Sequence, residues 1–208
     1  MKPYKKSITA LLFCVATLFC GNVDAQSLQS LLKSVSGILG SSKTEQKSES
    51  KPEIPAAEQL QGRWIYNSPD MIYTGDSTIA SVAVASAKTQ MSTVAEKSGL
   101  VAGRDYIEIG SDGIAKLVSG ERSATASYNY RPEEGKMSVG MEHEEKRVSL
   151  TADVTVVDDK LRIMFDAAQL VAEAEKNSDE LKKNTYFQML KTLTEKYPGI
   201  MVGATFGK

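Results

Sequence analysis

Polar and apolar residues alternate along most of the second half of the chain. Ala124, Ala126, Tyr128 and Tyr130 alternate with Thr125, Ser127 and Asn129, and Met137, Val139 and Met141 alternate with Ser138 and Gly140. Val148, Leu150, Ala152, Val154 and Val156 follow the same rule, as do Leu161, Ile163 and Phe165, and finally Ile200, Val202, Ala204 and Phe206. A period of two, with one apolar and one polar side, marks antiparallel strands that bury a single face. Weaker strands at Arg104–Ile109 and Ile114–Ser119 flank the turn Ser111-Asp112-Gly113, and Gln61–Tyr66 brings the strand count to eight.

Two stretches between strands carry helical spacing instead. The first runs over 78–97, with Asp76 or Ser77 as its cap, Gly99 as its stop, and Ile79, Ala83, Ala87, Met91 and Val94 as its apolar stripe. The second spans 167–196, breaks near Asn177-Ser178 and ends at Pro198-Gly199; Tyr186, Leu190, Leu193 and Tyr197 make its later half amphipathic. The pattern as a whole predicts a mainly β fold, an eight-stranded antiparallel barrel over 60–208 with two helical insertions. In an up-and-down meander, alternate links emerge at opposite ends. Both insertions, joining strands one to two and seven to eight, therefore emerge at one end. The tight links Gly110–Gly113, Arg131–Gly135 and Val157–Asp159 close the other.

The first 59 residues are of another kind. Lys2, Lys5 and Lys6 precede the apolar run Ile8–Cys20, and Val23-Asp24-Ala25 supplies a cleavage site before Gln26, so 1–25 reads as a secretory signal. That run is too short to cross a bilayer. Lipid attachment at Cys20 would place Phe19 where a small residue is required. Residues 26–40 form a short amphipathic helix through Leu28, Leu31, Leu32, Val35, Ile38 and Leu39, and 41–59, rich in Ser, Lys, Glu and Pro, is expected to be a flexible linker. The expected address is the periplasm or cell envelope, or the exterior. Both cysteines, Cys14 and Cys20, lie in the signal, so the exported chain relies on its core rather than on disulfides. About 150 residues remain for one domain with a real core.

The start of the barrel carries a resemblance. Gly62, Trp64 and Tyr66, spaced Gly-x-Trp-x-Tyr on the first strand and followed by a meander and a helix before a final strand, resemble the lipocalin or calycin pattern. With the N-terminal helix and linker, the alanine-rich insertion and the exit Phe165-Asp166-Ala167, the chain from 26 to 208 is more closely similar to a lipocalin-like family of unknown function found in exported proteins of Bacteroidetes. That resemblance implies a calycin-like barrel, with Trp64 at its floor. The chain departs from true lipocalins in lacking a Thr-Asp-Tyr signature and an arginine near the C-terminus to stack over Trp64, where Lys208 is the nearest substitute.

The remaining chemistry is sparse. The formal charge of -1 leaves no basic footprint for nucleic acid. His143 stands in Glu142-His143-Glu144-Glu145, whose adjacent side chains cannot converge on an ion, and the segment reads as a charged hairpin tip. Asp158-Asp159 is likewise a turn. No nucleophile elbow, phosphate loop or nucleotide fingerprint occurs. The expectation is therefore a protein that is not an enzyme and uses no metal or cofactor. Two readings stand. In the first, the barrel holds a small hydrophobic molecule, with Trp64, Ala126, Tyr128, Tyr130, Met137 and Met141 as candidate lining and the tyrosine hydroxyls orienting a polar end. In the second, the barrel is filled, and the protein is a structural or interaction module of the envelope with a protein partner. A cavity of a few hundred Å3 would favour the first.

Overall fold

The computed structural model describes residues 51–97, 99–143, 146–177, 182 and 185–208. The signal, the helix at 26–40 and the linker up to residue 50 lie outside the described residues, as do Glu144 and Glu145 at the hairpin tip. Eight antiparallel strands close into a barrel in sequence order, with the first strand pairing the last. The strands are β1 Gly62–Tyr73, β2 Tyr106–Ile109, β3 Ile114–Ser119, β4 Arg122–Arg131, β5 Lys136–His143, β6 Lys146–Val157, β7 Lys160–Asp166 and β8 Ile200–Gly207. The helices are α1 Ala57–Leu60, α2 Thr78–Lys97, α3 Ala167–Asn177 and α4 Thr185–Lys196. Closure pairs the edges that an open sheet would leave, apart from one edge of the upper half of β1.

Strand β1 extends seven residues past the Tyr66 expected to end it. The extension includes Asn67-Ser68-Pro69-Asp70, residue types that favour turns. Its residues 62–65 pair with β2, as far as Ile65↔Tyr106, while 65–73 pair with β8, with a bulge between Tyr66 and Ser68. Above the bulge β1 has a strand partner on one edge only, and Pro69 is tolerated there because it has no N–H to offer.

The two ends of the barrel differ. At the turn end, β6 and β7 are joined by Asp158 and Asp159, both with positive φ (50° and 60°), the backbone of a two-residue primed turn. The described part of the segment expected to be a flexible linker, 51–59, is docked here. Glu53 pairs with Val156 through two backbone bonds, Tyr130 Oη donates to the Pro55 carbonyl, and Ile54 lies against Gly135. The sequence of 51–59 carries little apolar surface, and backbone pairing and a side-chain bond do the ordering instead. At the other end, α3 and α4 pack on each other, and α3 meets β6, β7 and β8, with its Leu170, Val171 and Ala174 buried in the core.

Helix α2 lies against β1, and its buried stripe is Ala80, Val84, Ala87, Met91 and Ala95. This corrects the stripe expected from the sequence. Ile79 is 49% exposed and Ala83 is only half-buried. Alanine lets the helix approach the wall closely, and so many alanines give little contrast between faces from which to read the orientation. Asp70, 1% exposed on the outer wall, is bridged by Lys88 of α2 at 2.6 Å and by Arg162 of β7 at 2.8 Å. This clamp fixes the helix against the barrel. Among the described residues no helix is long and apolar enough to cross a membrane.

Candidate functional site

The inward face of the barrel surrounds a cavity of about 110 Å3. Tyr66 and Phe206 line it from the β1–β8 seam, Ile107, Ala115 and Leu117 from β2 and β3, Ala126 from β4, Met137 and Val139 from β5, and Ile163 and Phe165 from β7. Gly203 and Ala204 add a low wall, and Leu100 reaches in from the loop that follows α2. Twelve of these thirteen residues carry no side-chain oxygen or nitrogen; Tyr66 is the exception. The cavity is slightly smaller than the ~150 Å3 of an engineered site that admits benzene. It is well below the roughly 300–1,000 Å3 of pockets for drug-sized ligands.

Small side chains create this space. Ala115 faces Ala126 across β3 and β4, and Ala204 lies beside Ile163 of β7. Gly203 is required for another reason: a Cβ there would lie 1.9 Å from the Ile163 carbonyl oxygen. The sheet passes so closely at this point that only a hydrogen fits.

The residues singled out from the sequence divide into three groups. Ala126 and Met137 line the cavity. Met141 is buried in the surrounding core without reaching it. Trp64, Tyr128 and Tyr130 serve the floor. Trp64 donates its indole N–H to the Leu60 carbonyl at 2.8 Å, and Lys208 Nζ sits 4.7 Å from its ring centre, in the place of the stacking arginine. Tyr128 Oη donates to the Gly110 carbonyl at 2.6 Å and Tyr130 Oη to the Pro55 carbonyl at 2.7 Å. The two hydroxyls expected to orient a ligand are thus engaged in closing the turn end.

Tyr66 is the lining residue with polar chemistry. It is 4% exposed, and its Oη is buried with no hydrogen-bond partner among the described residues. Burial, together with the Asp105 and Glu96 carboxylates, pushes its phenol well above the ordinary range, so it is a neutral O–H donor at physiological pH. The sequence placed it two residues beyond Trp64, on the same face of the strand, and that period was the signal for it. Leu100 had no such signal, because it lies in a loop.

That loop is tied down by one carboxylate. Asp105 accepts from the Val101 N–H at 2.8 Å, Arg104 Nε at 2.6 Å, Ser119 Oγ at 2.8 Å and the Gly120 N–H at 3.1 Å. The Tyr66 N–H donates to the Asp105 carbonyl at 2.7 Å, and the Gly103 N–H donates to the Tyr66 carbonyl at 2.9 Å. Loop, β1 and the β3–β4 turn therefore form one bonded unit beside the cavity.

A second, polar cleft of about 180 Å3 opens on the outer wall around the Asp70 clamp, with Ser68, Asp158, Lys160 and Thr205 on its margin. It holds charges of both signs against one another, including the ion pair that ties α2 to β1. Among the described residues, no three His, Cys, Asp or Glu side chains come together in a way that could hold a metal ion.

No curated protein and no solved structure matches the chain. A family model, described as Lipocalin-like domain (DUF4923), matches residues 26–208. With that match running from before the docked strap to the last residue of the sequence, the chain belongs to this lipocalin-like family.

Proposed function

We propose that the protein is an exported, non-enzymatic binding protein that takes a compact, mainly apolar molecule into its barrel. The observation that carries this reading is the interior cavity of about 110 Å3, walled almost wholly by hydrocarbon. Its size limits the guest to something near a single ring, and a long acyl chain does not fit. A charged guest would meet no counter-charge among the lining residues and would be costly to bury. Export is supported by Lys2, Lys5 and Lys6, the run Ile8–Cys20 and the small residue Ala25 before Gln26.

Native mass spectrometry of the protein isolated from envelope fractions of its own cells tests both parts. The expected polypeptide begins at Gln26 and carries a small neutral adduct, which is lost from Ala126→Leu, a variant that fills the cavity. Retention of residues 1–25 would contradict export. An adduct unaffected by Ala126→Leu would place binding on the surface.

A second reading, the interaction module with a filled barrel, is favoured by the same small volume. Absence of any guest across a panel of ring-sized compounds would put it ahead.

A further inference from the structure

Tyr66 differs from the other tyrosines of the barrel interior. Tyr128 and Tyr130 both give their hydroxyl protons to carbonyls, at 2.6 and 2.7 Å, whereas Tyr66 Oη has no partner among the described residues. The great majority of buried polar groups in folded proteins are paired, and an unpaired hydroxyl in apolar surroundings destabilises the fold. The ring of Tyr66 is fixed edge-on against Phe206, with centroids 6.0 Å apart and planes at 69°. Its backbone is held on both sides by the 99–105 loop. The residue is therefore firmly placed beside the cavity, and its side-chain hydroxyl is unused by the described residues.

On the reading that the barrel interior binds a small molecule, we propose that Tyr66 sets the specificity of the site by donating its O–H to a single oxygen acceptor on a neutral, ring-sized guest. The other twelve lining residues offer no competing side-chain oxygen or nitrogen. Burial, together with the Asp105 and Glu96 carboxylates, keeps the phenol protonated, so it has an O–H to donate to an acceptor on the guest. The same carboxylates disfavour an anionic acceptor, which selects a ketone, ether, ester or alcohol oxygen over a carboxylate. Tyr66 Oη is shielded from water, so the bond forms only as a seated guest presses the lining back. Met137, with its unbranched and adaptable side chain, is the lining residue best suited to yield. A hydrocarbon of the same shape would occupy the cavity and leave the hydroxyl unpaired.

Cyclopentanone and methylenecyclopentane share a shape and differ in carrying an oxygen or a CH2 at one position. Each is titrated into the purified mature protein and into Tyr66→Phe, with the Met137 methyl followed by 13C NMR. Both probes should shift that methyl in the unsubstituted protein, and cyclopentanecarboxylate should not. In Tyr66→Phe, cyclopentanone should bind roughly three- to tenfold more weakly, the range of one neutral hydrogen bond, with methylenecyclopentane unchanged or tighter. The variant should melt no lower than the unsubstituted protein, because the group it lacks has no partner to lose. An unchanged ratio of the two affinities would overturn the role of Tyr66 and leave the interior site standing. A lower melting temperature would also overturn it, by revealing a structural partner for the hydroxyl. No shift of the Met137 methyl by either probe would instead overturn the interior site itself.

Discussion

At the scale of single residues, two groups govern the neighbourhood of the cavity, Trp64 below and Asp105 beside it. Trp64 is buried under a lysine ammonium with its N–H paired, so a large aromatic closes the floor without leaving a polar atom unsatisfied. Asp105 collects five hydrogen bonds from four residues on one buried carboxylate. Burial alone would push its pKa up, but the hydrogen bonds from Arg104, the Val101 and Gly120 N–H groups and Ser119 more than offset this and hold it below the ordinary carboxylate value. A depressed folded-state pKa contributes stability that is present above the unfolded value of about 3.9, and this is lost as the pH falls through the folded value. Asp105→Asn should therefore lower stability by about 1–3 kcal/mol at pH 7, the range for leaving buried donors poorly matched. Denaturant titrations of the two proteins should converge as the pH falls below about 4. A gap that stays constant down to pH 2 would show that the carboxylate charge does not hold the loop.

At the scale of elements, β7 and β8 approach closely at Gly203. Gly203 faces Met164 in register, and a Cβ at 203 would lie 1.9 Å from the Ile163 carbonyl oxygen, an atom of the backbone that cannot turn aside. Gly203→Ala should destabilise the protein by about 3 kcal/mol or more, at or beyond the usual range for overpacking. An equilibrium urea titration with an unchanged midpoint would contradict that close approach. Most strands were legible because alternation is a property of the residues themselves, and the helical insertion at 78–97 was bounded by its cap and stop. What escaped was set by partners distant in sequence. The upper half of β1 depends on pairing with β8, the burial of Ala80 rather than Ile79 depends on the wall beneath α2, and the docking of Glu53 depends on Val156. No local pattern encodes those choices.

At the scale of the molecule, a meander of eight strands closes on itself, a docked strap and tight turns seal one end, and packed helices cover the other. The interior site was legible only in part. Period two named the inward residues, including Ala126 and Met137, but could not say how high each sits along the barrel axis. Tyr128 and Tyr130 therefore looked like ligand-orienting groups, although they close the turn end, and Tyr66 was seen only as part of the start of the barrel. Whether the interior takes a guest is the central claim, and xenon reports on it without depending on polar chemistry, since it enters dry apolar cavities of this scale. The measurement is methyl 13C NMR of the mature protein under increasing xenon pressure. Methyl groups of Ala126, Leu117 and Met137, which line the cavity, should shift and saturate, while those of Leu150 and Val154, buried in the core without lining it, should not. Absence of a saturable shift at the lining methyls would contradict an accessible interior site and leave a filled barrel in its place.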